Sequence, residues 1–193
     1  RVQVTNRAKM GATVSKGLSL VEHDAQRGLD ADYALICYGG NDSDYDWAAI
    51  AADPEGDHQP HTKQETFRQT LSDMLKVLYQ QGVQPVLMSL PPIDPRRYLR
   101  FICRNGLDRN AILRWLGDED MIYRHQELYS DTVTELAYAN NVPLIHVRQA
   151  FLADHHMNDL LSADGIHLTM DGYGKLFDTL ADWLRPKLDQ AEK

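Results

Sequence analysis

The chain has 193 residues, 43% of them hydrophobic and 25% charged, which fits one globular domain and argues against disorder. Its net charge of −8 sets up a field that repels polyanions, so nucleic acid and an anionic membrane surface are poor partners. No apolar run approaches the ~18 residues that cross a bilayer, and the two cysteines, Cys37 and Cys103, form neither a disulfide framework nor a zinc-ligand spacing; a reducing, cytoplasmic setting is expected.

Val2 to Thr5 reads as a short strand leading into a polar loop, Asn6 to Thr13, that carries Gly11. Because the chain opens on Arg1 and runs straight into that strand, we expect a fragment whose targeting segment cannot be read. Ser15 to Gln26 is expected to be helical, with Gly28 and Asp30 marking the turn out. Ala31 to Tyr38 is short, mostly apolar and β-rich at its centre, and Gly39-Gly40-Asn41-Asp42 closes it, the pattern of a buried parallel strand ending in a tight loop. From about residue 43 to 63 the chain is polar and is expected to form an excursion.

Phe67, Leu71, Met74, Leu75 and Leu78 repeat at the spacing of one helical face, with Gly82 at the stop. Pro85 to Leu90 is the next strand, ended by Pro91-Pro92. A second excursion, about 94–120, is rich in arginine, carries Tyr98, Phe101 and Trp115, and contains a short helix from Asn110 to Leu116. Met121 to Ala139 is helical, Pro143 to Val147 is a strand, and a last helix from about Asp171 is broken by Pro186. Strands alternating with amphipathic helices, without hairpin signals, mean a parallel sheet covered on both faces, and the whole of 1–193 is expected to be one domain.

In such a sheet the site forms at the carboxyl ends of the strands. That rule places the Gly11 loop, the Gly39–Asp42 loop, the Ser89–Pro92 exit and the turn Asp164-Gly165-Ile166-His167 on one rim. A carboxylate three residues before an imidazole can take a hydrogen bond from one ring nitrogen and leave the other facing a cleft, which is the geometry of a general base with its orienting group. The side-chain amide of Asn41 and the backbone N–H at Gly11, where no Cβ blocks approach, are donors of the kind that hold an oxyanion. The set reads as acyl transfer. Taken singly, Gly39–Asp42 is also an ordinary turn, Asn41 a turn former and Asp164 a helix-entry cap, a task for which Asp171 is better sited; Asp42 fits a loop-holding part better than a catalytic one.

The combination resembles the SGNH hydrolases, also called GDSL esterases and lipases. Gly39-Gly40-Asn41-Asp42 is similar to the family's oxyanion Asn block, Asp164-Gly165-Ile166-His167 to its Asp-x-x-His block, and Asn6 to Thr13 to the block that supplies the oxyanion Gly, here Gly11. The two clearest blocks lie about 120 residues apart and in the family's order. The resemblance implies a three-layer α/β/α sandwich with a flavodoxin-like parallel sheet, and an esterase in which His167 is the base, Asp164 its partner, and Gly11 with Asn41 the oxyanion hole. It implies no metal and no organic cofactor. The family's Gly-Asp-Ser block is not found in the chain. By the resemblance, that block and the first strand precede residue 1, and the strand would sit between those at Val2 and Tyr33.

Other candidates fare less well. Ser19 lies in an expected helix and lacks the last glycine of a Gly-x-Ser-x-Gly elbow. Ser89, at a strand exit, is a weak alternative nucleophile or substrate contact. Trp47 and Tyr98 are expected substrate walls, unless they pack the excursions onto the sheet. Asp42, Asp44 and Asp46 open like a calcium loop, but Trp47 stands where glycine is required. His58 with His61, and His155-His156, lack a third close ligand; His146 is expected inside a strand. The expected partner is a small ester. Rival readings are a carbohydrate O-deacetylase or acyltransferase with the same chemistry, and a non-catalytic binding module on the same fold.

Overall fold

In the computed structural model, which describes residues 2–191, the elements run α1 (Val14–Ala25), β1 (Tyr33–Ile36), α2 (Trp47–Ala52), α3 (Gln64–Gln80), β2 (Gln84–Met88), α4 (Pro95–Cys103), α5 (Arg109–Leu116), α6 (Asp120–Ala139), β3 (Leu144–Ile145), α7 (Val147–Leu152) and α8 (Met170–Ala191). Pro85 to Met88 is buried throughout, so both faces of β2 need a cover and the strand takes the middle of the sheet. The order is β1-β2-β3, all parallel, with Leu35 opposite Val86 and Met88 opposite Ile145. One face is closed by α1, α3 and α6 through Val14, Phe67, Leu71, Tyr129 and Val133, against Ile36 and Leu87. The other is closed by α7 and α8 through Phe151, Leu176 and Leu180, against Val86, Met88 and Ile145. This is the expected three-layer α/β/α arrangement on a parallel sheet. Among the described residues no helix is long and apolar enough to cross a membrane.

Four local expectations need correction. Val2 to Thr5 is not a strand: the segment is irregular and exposed, and without a ladder partner among the described residues a four-residue run has nothing to fix it. β1 is buried on one face only. Ala34 and Ile36 enter the core, whereas Leu35 is 54% exposed and the outer edge of the strand pairs with nothing among the described residues. β3 is two residues long, because the chain turns into α7 directly after His146, which is exposed at that helix's start rather than held in a strand. Pro186 lies inside α8 without ending it; the residue is on the solvent side, where the carbonyl left without a donor can be hydrated.

The excursions are more ordered than their polarity suggests. The first folds into α2, with the Asp46 carboxylate accepting from the Ala49 amide at 3.0 Å. The second folds into α4 and α5, each started by an aspartate that accepts two backbone N–H groups, Asp94 and Asp108. Trp47, Ile50, Tyr98, Leu99, Ile112 and Leu116 then form a core of their own. The two excursions thus support one another above the rim of the sheet.

Candidate active site

The turn that ends at His167 is built by glycine and by one carboxylate. Gly165 sits at φ +80°, and the turn is closed by the Ser162 amide donating to the His167 carbonyl at 2.8 Å and the Gly165 amide to the Ser162 carbonyl at 3.0 Å. Asp164 Oδ1 accepts from Ser162 Oγ at 2.6 Å and from the amides of Ile166 and His167, each at 3.0 Å. Its Oδ2 lies 2.7 Å from His167 Nδ1, so the carboxylate is the acceptor for a proton on Nδ1; Nε2 has no protein partner among the described residues. Burial raises the Asp164 pKa, but the His167 amide, the Ser162 hydroxyl and the His167 ring outweigh it and hold the carboxyl well below the usual carboxylate range. The Asp164 side chain is only 17% exposed and that of His167 67%, the arrangement of a sheltered orienting group behind an accessible imidazole.

α4 grips this turn from outside. The Asp94 amide donates to the Gly165 carbonyl at 2.8 Å. Arg97 pairs with Asp94 at 3.2 Å and donates to the carbonyls of Asn158 and Leu161 at 2.8 and 3.0 Å. The fit is close enough that a Cβ at residue 165 would stand 2.6 Å from the Asp94 carbonyl oxygen and 2.7 Å from Arg97 Cβ.

At the other side of the rim, Asp42 is fully buried and accepts from the Val14 amide at 3.0 and 3.2 Å. It therefore anchors the first turn of α1 to the loop after β1. Burial raises its pKa, opposed by the Val14 N–H and further hydrogen bonds. Asn41 stays exposed, and its Nδ2 donates to the Ala12 carbonyl at 3.3 Å. The side-chain amide thus lies against the Gly11–Thr13 segment. Gly11 itself has φ +70° and nothing within 4 Å of where a Cβ would be, so its backbone is open to a ligand. His61 Nδ1 bonds the Asn41 carbonyl at 3.0 Å and steadies the loop from behind.

The loop and the turn meet at Tyr98. Its hydroxyl donates to Asp44 Oδ2 at 2.6 Å, while its backbone nitrogen lies 2.9 Å from the Cβ position of Gly165. Burial, reinforced by the charge on Asp44, raises the Tyr98 pKa far above its ordinary value, so the hydroxyl remains a donor. Trp47 Nε1 donates to Asp44 Oδ1 at 2.8 Å.

Three residues expected to touch substrate have other tasks. Trp47 and Tyr98 are buried and join the two excursions through Asp44, so they position the walls rather than line them. Ser89 is buried as well: its Oγ accepts from the Arg148 amide at 3.0 Å and donates to the Ile145 carbonyl at 3.4 Å. It caps strand and helix ends. Asp171 does not cap α8; Thr169 Oγ1 accepts from the Gly172 amide at 3.2 Å instead. Among the described residues no three His, Cys, Asp or Glu side chains gather as metal ligands. Arg97, Arg100 and Phe101 went unnoticed as site residues; with Ser162, Ala163 and Asp164 they line an open depression of about 450 Å³. Their only signal in the sequence was the density of arginine in the second excursion.

A model of the GDSL-like lipase/acylhydrolase family matches residues 1–175. Among solved structures, a lipase/acylhydrolase from Enterococcus faecalis superposes with a TM-score of 0.64 at 19% identity, over 92% of this chain and 72% of that one. A GDSL-like lipase from Bacteroides thetaiotaomicron gives 0.60 at 18% identity, over 92% and 73%. An acetylxylan esterase from Geobacillus stearothermophilus gives 0.60 at 17%, over 89% and 67%. At such identities these likenesses speak for the fold alone. No curated protein matches the sequence.

Proposed function

The chain belongs to the GDSL-like lipase/acylhydrolase family, a family of ester-cleaving enzymes, and from that premise we propose that it hydrolyses a small carboxylic ester through a Ser-His-Asp triad. His167 Nε2 takes the proton of a serine hydroxyl as the oxygen attacks the acyl carbon. Asp164 keeps the imidazole in the Nδ1–H tautomer and stabilises the imidazolium that forms. The negative charge that develops on the carbonyl oxygen is received by the Gly11 N–H and the Asn41 amide. Collapse expels the alcohol with the proton from His167, and water, activated by the same nitrogen, releases the acid. The observation that carries this reading is the 2.7 Å contact between Asp164 Oδ2 and His167 Nδ1 behind a free, exposed Nε2.

No serine among the described rim residues fills the nucleophile's place, Ser89 being committed to backbone groups. We assign the nucleophile to a further strand that pairs along the open edge of β1. Exposed Tyr33 and Leu35 on β1 offer apolar surface such a strand would cover. The test is hydrolysis of phenyl acetate by the full-length protein. His167→Ala is expected to abolish turnover, and Asn41→Ala to lower kcat by about 10²-fold or more. Full activity after the His167 change would overturn the assignment. Release of acetate from acetylated oligosaccharides in preference to phenyl acetate would move the reading to a carbohydrate O-deacetylase, the activity of the Geobacillus neighbour.

A further inference from the structure

The depression of about 450 Å³ beside the catalytic turn has a charge that the proposed reaction does not use. Asp164 forms part of its wall together with Arg97, Arg100, Phe101, Ser162 and Ala163, so the hollow adjoins the turn that carries His167. The arginines here are not equivalent. Arg96 pairs with Glu119 at 3.1 Å, Arg109 pairs with the same carboxylate at 3.2 Å, and Arg97 is held by Asp94. Arg104 lies over the Phe101 ring, 3.4 Å from its centroid, and donates to the Phe101 carbonyl at 2.7 Å. Arg100 is exposed and has no carboxylate partner among the described residues.

Arg97, Arg100 and Arg104 follow one another at three- and four-residue intervals, so they share one face of α4 and its end. In a chain of net charge −8 that face is a local reversal of sign. Asp164 is the one acid in the wall. Its oxygens accept from Ser162 Oγ, two amides and the His167 ring, so the carboxylate stays ionised but is turned toward its own turn and forms no ion pair with Arg100 among the described residues. A planar guanidinium beside an aromatic edge is suited to a carboxylate, which it meets with two parallel N–H groups.

We propose that Arg100 makes this depression a subsite for a carboxylate borne by the ester substrate. The inference deepens the esterase reading and rests on it. An ester whose alcohol or acyl part ends in a carboxylate binds with its reacting carbon at His167 and its charge on the Arg100 guanidinium. Arg100 is thus a specificity-determining residue.

The test uses the full-length protein and three aryl esters: neutral phenyl acetate, 4-acetoxybenzoate with its carboxylate on the alcohol side, and the monophenyl ester of glutaric acid with its carboxylate on the acyl side. The quantity read is kcat/KM for each charged ester divided by that for phenyl acetate, which removes intrinsic reactivity when variants are compared. Arg100→Ala is expected to lower that ratio about 3- to 10-fold for at least one charged ester, chiefly through KM, as for a partly exposed charge pair. Which ester responds identifies the side of the substrate that faces the hollow. Arg100→Lys should recover part of the ratio, and Arg100→Glu should lower it further. Ratios unchanged in all three variants would overturn the subsite. Absence of phenyl acetate turnover by the wild-type protein would instead overturn the esterase reading on which it stands.

Discussion

Gly165→Ala separates a turn that is merely tight from one that is held by its neighbours. At φ +80° a side chain of L configuration costs about 1–2 kcal/mol. The added methyl also meets the Asp94 carbonyl oxygen at 2.6 Å, Arg97 Cβ at 2.7 Å and the Tyr98 nitrogen at 2.9 Å. Two of those three are backbone atoms of α4 that no rotamer change can move, and relieving such overlap adds about 1–3 kcal/mol. The expected loss is therefore about 2–5 kcal/mol, or on the order of 5–15 °C in Tm for a chain of this length. Gly11→Ala is the internal reference. It has a similar φ of +70° but nothing within 4 Å, so only the conformational cost of about 1–2 kcal/mol applies. Urea unfolding of both variants beside wild type gives the comparison, and kcat of the full-length protein on phenyl acetate gives a second one. Because the displaced turn carries both Asp164 and His167, Gly165→Ala should also lose on the order of 10²-fold in rate. Equal unfolding midpoints for the two variants would refute the argument that α4 clamps the Asp164–His167 turn.

Asp164 should leave a signature in acid. Its folded pKa is depressed, so the stability it contributes is present above the unfolded value of about 3.9 and is lost as pH falls toward the folded value. The difference in urea midpoint between wild type and Asp164→Asn should be larger at pH 7 than at pH 3; a difference independent of pH would remove the charge from the explanation. Asp42→Ala strips the buried acceptor from the Val14 amide and should cost about 1–3 kcal/mol in the same unfolding measurement, with Asp42→Asn costing less because an acceptor remains. Ser89→Ala should keep phenyl acetate turnover within about 2-fold while lowering stability by about 1 kcal/mol, since the hydroxyl serves the Arg148 amide. Loss of turnover beyond 10²-fold without unfolding would restore Ser89 as a nucleophile.

What the sequence disclosed depended on whether a signal was local. Pro85 to Met88 could be placed because an apolar run covered on both faces suits a central strand, and α3 because Phe67, Leu71, Met74 and Leu78 mark one stripe. The pair Asp164 and His167 was legible for the same reason: three residues of spacing suffice to build it. α4 was missed because its arginines hide the buried Tyr98 and Leu99, although Asp94-Pro95 is a helix-start signal that outweighs composition. Val2 to Thr5 failed in the opposite direction. Its alternation suits a strand, but pairing is a property of two segments and no second one meets it among the described residues. Trp47 and Tyr98 were correctly sited in the excursions, but that both would be buried was not legible, because burial depends on contacts between segments 51 residues apart.

Those long-range contacts make a rim into a site. The sheet alone brings the ends of β1 and β2 together; the link from the loop after β1 to the Asp164–His167 turn runs through the excursions. Asp44 receives both Trp47 Nε1 and the Tyr98 hydroxyl, and the same α4 that supplies Tyr98 holds Gly165 through the Asp94 amide. The loop after β1 and the Asp164–His167 turn are therefore tied to one short helix by two hydrogen bonds, of 2.6 and 2.8 Å. A movement of α4 would displace both together. The face of α4 that bears Arg100 belongs to the same rigid piece, so substrate charge would be read by the element that also sets the catalytic geometry. On this reasoning the excursions, which vary least predictably from composition, are the part of the chain in which specificity and alignment cannot be changed independently.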